Sequence, residues 1–332
     1  PVLAEAAVYM RIVCFSYVFF AVTQLLLASM RSVETVNVGF TVSLVALFVN
    51  VVLNYMLIFG KFGCPEMGVA GAAWATLIAR IAETAVTIVY VRFVDKKLRL
   101  RLKTFFRIDR VLLKHYLRYG SPVILSNGVW GIGMAAQTAI LGHMGAASIA
   151  ANSIATTAFN ILTVMTYGSA NAASVITGKT IGEQRIDDVR QYAKTFQALF
   201  LIVGVVTGLL IFFLRDAIVG MYNISGESAE LSRKFLAVLS VTVVGTSYQM
   251  SCLCGIVRGG GDTRFVLYND MIFMWGIVLP LTALAAFVLH WPPVVVFACL
   301  KSDQITKCAV AVVKVNRYRW IKHFDQTAVA KK

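Results

Sequence analysis

The chain has 332 residues, of which 58% are hydrophobic and 14% charged, with a mean hydropathy of +0.75 and a formal net charge of +15. A soluble domain of this length cannot bury so much apolar surface in one core. The composition therefore predicts an all-α integral membrane protein, and it excludes soluble structural proteins and secreted proteins.

Nine apolar runs follow one another along the chain, and each is long enough for a helix that crosses the hydrocarbon layer. They lie roughly at 7–29, 38–60, 68–91, 119–141, 147–176, 193–214, 234–256, 265–290 and 293–313. Almost nothing remains for a soluble domain. The chain opens with Pro-Val-Leu and has no basic leader before its first apolar run, so we expect an amino-terminally truncated fragment.

The basic residues lie mainly in alternate connections between the runs. Ten lie between Arg92 and Arg118 and six between Lys314 and Lys332. Because basic loops stay in the cytoplasm, this alternation predicts a multi-pass protein of the inner cell membrane with a cytoplasmic carboxyl terminus. The same alternation predicts that the basic residues lie at the surface of the lipid bilayer, so we expect no nucleic acid as a partner.

The last part of the chain repeats the first. Residues 30–35 read MRSVET after the first run, residues 257–263 read VRGGGDT after the seventh, and an apolar helix, a break and another helix follow each turn. Such repeats are typical of secondary transporters built from two bundles. We therefore predict residues 1–91 as the second half of an amino-terminal lobe, 92–118 as a basic amphipathic linker on the cytoplasmic surface, 119–316 as a six-helix carboxy-terminal lobe and 317–332 as a cytoplasmic tail.

The glycine-rich turn in the second copy predicts a tight helix hairpin. Glycine allows positive backbone dihedrals and close approach of two helices. A phosphate-binding loop is disfavoured, because no strand precedes Gly259. The predicted hairpin residues, with Arg258 and Asp262 at the aqueous boundary and Arg31 as the counterpart in the first copy, are Arg31, Arg258, Gly259, Gly260, Gly261 and Asp262.

Five segments resemble the multidrug and toxic compound extrusion (MATE) transporters: 68–80 GVAGAAWATLIAR, 141–161 LGHMGAASIAANSIATTAFNI, 178–194 GKTIGEQRIDDVRQYAK, 256–263 IVRGGGDT and 269–281 NDMIFMWGIVLPL. The resemblance implies a two-lobe bundle of twelve helices, about nine of them present here. It implies a monomeric antiporter without a cofactor, which exports cationic amphipathic compounds in exchange for Na⁺ or H⁺.

Two positions depart from the pattern of the family. Some members carry coupling carboxylates on the helices that correspond to 119–141 and 234–256, where this chain has Trp130 and approximately Ser247. Other members place the coupling aspartate on the first helix of the amino-terminal lobe, which we do not expect in this chain. The resemblance therefore leaves the cation site of the carboxy-terminal lobe in question.

Ionisable side chains inside a membrane cost about 2.5–3.5 kcal/mol each on insertion scales and so require a reason. Asp270 lies in the eighth run, and Asp303 lies in the ninth run near Lys301 and Lys307. Either carboxylate is a candidate relay for Na⁺ or a proton, or an anchor for a cationic substrate. Alternatively, Asp303 and Lys307 form a structural clamp across one helical turn, as Arg80 and Glu83 do on the third run.

Neutral polar residues on the later runs line a cavity or hold helices together by hydrogen bonds. The candidates for the cation and substrate pathway, together with Asp270 and Asp303, are Asn127, Gln137, Asn152, Tyr248 and Gln249. We expect no metal site beyond transient Na⁺.

The alternative function is a flippase for lipid-linked oligosaccharides or polysaccharides of a related fold. Such a protein requires a basic interior, whereas the basic residues of this chain cluster in loops. An enzyme is not expected, because the sequence contains neither His-Glu-x-x-His nor Gly-x-Ser-x-Gly.

Overall fold

The computed structural model describes residues 2–33, 35, 37–63, 65–95 and 110–321. These residues are helical and contain no strand, which confirms the predicted all-α class. The chain divides into two compact units, Pro1–Ile108 and Asp109–Lys332. Most of the predicted linker, 96–109, and the tail residues 322–332 lie outside the described residues.

The described part of the first unit contains three long helices. They are α1 (Val2–Ser32), α2 (Asn37–Phe59) and α3 (Gly68–Val89), and a π-helical turn, Tyr90–Val94, extends α3. Helix α3 packs against both α1 and α2. The hydroxyls of Thr23 and Thr84 are 2.9 Å apart and join α1 to α3, an example of the polar contacts that hold membrane helices together.

The second unit contains eight helices in its described part. Their bounds are α4 Arg110–His143, α5 Ala146–Leu162, α6 Val164–Gly182, α7 Ile186–Gly220, α8 Gly226–Val257, α9 Thr263–Val288, α10 Pro293–Lys301 and α11 Asp303–Asn316. Only Ser302 separates α10 from α11. Helix α8 is the central element, since α7, α5 and α11 all pack against it.

The length and hydropathy of the described helices identify six candidate membrane spans, or seven if the bent pair α5 and α6 forms one span. The bend between these two helices is 46°. It lies at Thr163, whose hydroxyl donates a hydrogen bond to the carbonyl of Phe159 at 2.6 Å and competes with the helical ladder. Helices α3, α10 and α11 are not among these spans, so the total of nine stays a prediction.

Helix α8 ends in a π-helical stretch, and α9 contains two such stretches. The stretches are Ser251–Val257 in α8, and Ile272–Val278 and Leu284–Val288 in α9. Pro280 follows the first stretch of α9 and cannot donate a backbone hydrogen bond to the preceding turn, so the wider turns of this stretch occur where the regular ladder is broken. Such stretches often accompany functional sites because they re-aim the side chains near them.

The glycine-rich segment forms a hairpin between α8 and α9. Gly261 has a φ of +92°, which strains any residue with a side chain. A Cβ atom on Gly259 would lie 2.8 Å from the carbonyl oxygen of Ser174, and one on Gly260 would collide with the Trp320 ring. Positive φ is therefore needed at one glycine, and close packing explains the other two.

The charged residues of the two predicted turns differ in their surroundings. Asp262 forms an ion pair with Lys314, with 2.7 Å between carboxylate oxygen and Nζ. Arg31 is exposed at the end of α1. The guanidinium of Arg258 joins a polar network around a cavity, and its place at the aqueous boundary stays a prediction.

Candidate functional site

A cavity of about 280 Å³ lies inside the second unit. Side chains from α4, α5, α6, α8, α9, α10 and α11 line it, so most of the helices of this unit contribute. The lining combines aromatic residues, methionines and amides with five charged residues. These five are Arg258, Asp270, Lys301, Asp303 and Lys307.

Lys307 on α11 holds the two carboxylates of the cavity together. Its Nζ is 3.2 Å from Oδ2 of Asp303, one turn earlier on the same helix, and 3.3 Å from Oδ1 of Asp270 on α9. The side chains of Lys307 and Asp303 are only 6% and 4% exposed, whereas that of Asp270 is 21% exposed. Buried charges are tolerated when they are paired in this way.

The second carboxylate oxygen of Asp270 has partners on two other elements. Ser126 of α4 donates a hydrogen bond to Oδ2 of Asp270 at 2.8 Å. The Ser126 oxygen in turn accepts a hydrogen bond from Nη2 of Arg258 at 3.1 Å, and Nη2 is itself 3.9 Å from the carboxylate. The carboxylate of Asp270 thus connects α4, α9 and α11 with the hairpin.

Amide side chains extend the network from Asp303 to α8. Gln304 Nε2 donates a hydrogen bond to Oδ1 of Asp303 at 2.8 Å. Gln249 Nε2 donates to Oε1 of Gln304 at 2.9 Å. Both oxygens of each carboxylate therefore have donors or cations near them, which holds their geometry in the membrane interior.

Lys301 is the remaining charged residue of the lining, at the end of α10. Its Nζ lies over the Phe297 ring, 5.6 Å from the centroid, and forms no salt bridge with any carboxylate in the described part of the chain. The lining thus has three basic and two acidic side chains, a formal surplus of one positive charge. Basic residues are therefore found in the cavity as well as in the loops where the sequence pattern placed them.

The structure brings together five of the seven predicted pathway residues at this cavity. Gln137 donates a hydrogen bond to the Met274 sulfur at 3.2 Å. The other four that line the cavity are Asn127, Gln249, Asp270 and Asp303.

Two predicted pathway residues do not line the cavity. Asn152 lies on α5 outside the lining. The Tyr248 hydroxyl donates a hydrogen bond to Oε1 of Gln197 at 2.7 Å. Tyr248 also borders a larger groove of about 850 Å³ between α7, α8 and α11.

This larger groove is lined mostly by apolar residues such as Leu209 and Val241, and both are exposed, as lipid-facing residues would be. Among the residues that the structure describes, no carboxylate or basic side chain lines this groove. We therefore take the smaller, polar cavity as the candidate site.

Sequence patterns alone missed several members of the network. Ser126, Gln304 and Lys301 were not predicted as site residues, and Lys307 was considered only as a partner of Asp303. One available signal was the short break before α10, which makes α9 and α11 candidates for neighbouring helices with Asp270 near Lys307.

Trp130 and Ser247, the two positions at which the sequence departs from the pattern of MATE transporters, lie in different environments. Trp130 lines the cavity, whereas Ser247 is buried and its hydroxyl is 2.8 Å from that of Thr166. The carboxylates of this cavity come instead from α9 and α11.

Comparisons with known proteins give a consistent result. The MatE family model matches residues 1–56 and 122–284. A probable multidrug resistance protein NorM of Listeria innocua is 27% identical over 292 residues, which cover 84% of this chain and 62% of that protein. A protein of the same description from Halalkalibacterium halodurans is 28% identical over 253 residues, which cover 75% of this chain and 54% of that protein.

Solved structures share the fold. A MOP superfamily transporter from Pyrococcus furiosus superposes with a TM-score of 0.82 at 18% identity, covering 98% of this chain and 70% of that one. A mutant of the Vibrio cholerae MATE transporter VcmN superposes with a TM-score of 0.82 at 16% identity. This match covers 96% of this chain and 70% of that one. The chain thus spans about 62% of the length of the first curated relatives that it matches.

Proposed function

The chain belongs to the MatE family, and we propose that the protein is a secondary active multidrug efflux antiporter, which exports cationic amphipathic compounds or metabolites in exchange for Na⁺ or H⁺. The observation that carries this proposal is the pair of carboxylates, Asp270 and Asp303, at a cavity inside the second unit. The curated relatives are described as probable multidrug resistance proteins, which supports the same class of substrate.

The chemistry of the lining suits an organic cation with apolar groups. Trp130, Phe159 and Tyr167 can offer aromatic faces to a positive charge, and Met134 and Met250 can adapt their shape to different apolar groups. Asp270 is the more accessible carboxylate and can receive the charged end of the compound. A cation or proton that enters the same network would then compete with the compound, which is the basis of exchange.

Transport by the full-length protein in proteoliposomes tests this proposal. A sodium or proton gradient is imposed, and efflux of a fluorescent organic cation is followed with wild type, Asp270→Asn and Asp303→Asn. We expect gradient-dependent transport by wild type, and a loss of about tenfold or more in each variant, because each removes a charge at the exchange site. Transport by both variants at the normal rate and ion dependence would show that these aspartates are not the coupling site.

We propose that the protein acts as a monomer in the inner membrane with its carboxyl terminus in the cytoplasm. The turn between α6 and α7, which contains Arg185, would then also be cytoplasmic, and the turn at Tyr222 external. Single cysteines at Gln184 and Asn223, treated with a membrane-impermeant maleimide on whole cells, test the orientation. Labelling of Asn223→Cys alone is expected, and labelling of Gln184→Cys alone would reverse the topology.

A flippase for lipid-linked saccharides is the second candidate function. It is favoured by one observation, namely that Arg258, Lys301 and Lys307 all line the cavity and could contact a diphosphate group. Proteoliposomes that contain a fluorescent lipid-linked diphosphate saccharide distinguish the two functions. Movement of that lipid without movement of any organic cation would favour the flippase.

A further inference from the structure

We infer that Lys307 is a tethered cation, which occupies the position of a bound ion between Asp270 and Asp303 and sets the affinity of the cavity for cationic compounds. This inference rests on the proposed function, and it identifies a residue that determines the specificity of the cavity for cationic compounds. The observation behind it is the pair of contacts from one ammonium group to two carboxylates on different helices, at 3.2 and 3.3 Å.

The surroundings of Lys307 distinguish this arrangement from a clamp within one helix. A clamp between Asp303 and Lys307 alone would leave Asp270 with only Ser126 and the more distant Arg258 as partners, yet the ammonium is 3.3 Å from Asp270 and 3.2 Å from Asp303. The ammonium also lies over the Phe273 ring, 5.8 Å from the centroid. Two carboxylates and an aromatic face thus surround one positive charge, which are the groups that recognise an organic cation.

A tethered ammonium lowers the affinity for any other cation at the same carboxylates. A positive charge within 4–6 Å changes the proton affinity of a carboxylate by about one to three powers of ten, and the same electrostatic effect acts on an organic cation. An incoming compound must therefore displace Lys307 from Asp270, the more exposed of the two carboxylates. Removing the ammonium should convert the site into one that binds free cations tightly.

Lys301 provides a matched control in the same cavity. It carries the same charge, but among the residues that the structure describes it has no carboxylate within salt-bridge distance. Lys307→Gln and Lys301→Gln remove the same formal charge from the lining. A difference between the two variants would therefore report on the contact of Lys307 with the carboxylates and not on the net charge of the cavity.

The experiment measures binding to the purified full-length protein in detergent, without any ion gradient. The probes are radiolabelled tetraphenylphosphonium and tetraphenylborate, which have nearly the same shape and opposite charges. Because each probe partitions into the micelle equally for every variant, comparing the ratio of the two affinities between variants cancels this partitioning. For Lys307→Gln we expect the ratio of cation to anion affinity to rise by about tenfold or more, and for Lys301→Gln we expect a clearly smaller rise.

A second variant covers the case that Lys307→Gln does not fold. Asp303→Asn with Lys307→Gln leaves the formal charge of the cavity unchanged and avoids a buried carboxylate without a counter-ion. We expect its affinity ratio to exceed that of wild type, since Asp270 has lost its ammonium partner. An unchanged ratio in this variant, or equal rises in Lys301→Gln and Lys307→Gln, would overturn the inference.

The outcome is separable from that of the transport assay. Absence of gradient-driven efflux would overturn the proposed function but would not alter the binding ratio. Conversely, gradient-driven efflux by wild type would support antiport, and an unchanged ratio of cation to anion affinity in the Lys307 variants would still reject the tethered cation.

Discussion

Each of the two units buries a carboxylate in an ion pair, and the two pairs are built differently. In the first unit, Glu83 is 2.6 Å from Arg80 on the same helix, and Arg80 lies over the Phe20 ring at 4.8 Å and is 37% exposed. In the second unit, Lys307 contacts carboxylates on two helices beside a cavity, and its side chain is 6% exposed.

This difference indicates which of the two ion pairs can exchange its cation for another one. The pair on α3 is closed within one helical turn, and its cation is partly exposed at the protein surface. The network in the second unit crosses helices, so a shift of α9 relative to α11 would change the distance between Asp270 and Lys307. Ionisable residues in membrane helices are thus better candidates for function when their partners lie on other helices.

Of the substitutions considered at these two ion pairs, that of Lys307 should lower the free energy of unfolding most. Lys307→Gln leaves Asp303 nearly fully buried without a counter-ion, and breaking a buried pair in this way costs about 3–5 kcal/mol in the free energy of unfolding. The loss can be measured by titrating the purified protein with sodium dodecyl sulfate and following its tryptophan fluorescence.

The double variant Asp303→Asn with Lys307→Gln provides the control. Its loss should be smaller than that of Lys307→Gln alone, because the uncompensated carboxylate is also removed and the two residues are in contact. Strictly additive losses would contradict the interpretation that Lys307 neutralises Asp303.

The helical fold was largely predictable because the membrane simplifies the physical problem. A long apolar run such as 38–60 has to form a helix in lipid, and the structure has α2 at Asn37–Phe59. The bend at Thr163 was not predicted, since a hydroxyl that competes with the backbone gives no signal in hydropathy. The π-helical stretch before Pro280 was missed for a similar reason, because it depends on where the ladder can absorb the missing donor.

The candidate site was predictable in its carboxylates but only partly in its partners. Asp270 and Asp303 stand out because charge is rare and costly inside apolar runs. The contact between Lys307 and Asp270 depends on the relative depth and rotation of α9 and α11, which periodicity does not determine. Arg258 was assigned to the hairpin because its neighbours are glycines, although its side chain is long enough to join the network at Ser126.

Substitution of Glu83 tests the other half of the comparison and should have the smaller effect. In Glu83→Gln the side chain keeps its shape and can still accept a hydrogen bond from Arg80, whose guanidinium is partly exposed and lies over the Phe20 ring. We therefore expect a loss of about 1 kcal/mol in the free energy of unfolding, measured by the same titration. A loss as large as that of Lys307→Gln would mean that the pair on α3 is as strongly desolvated as the cavity network, and the contrast between the two units would then no longer distinguish a clamp from an exchange site.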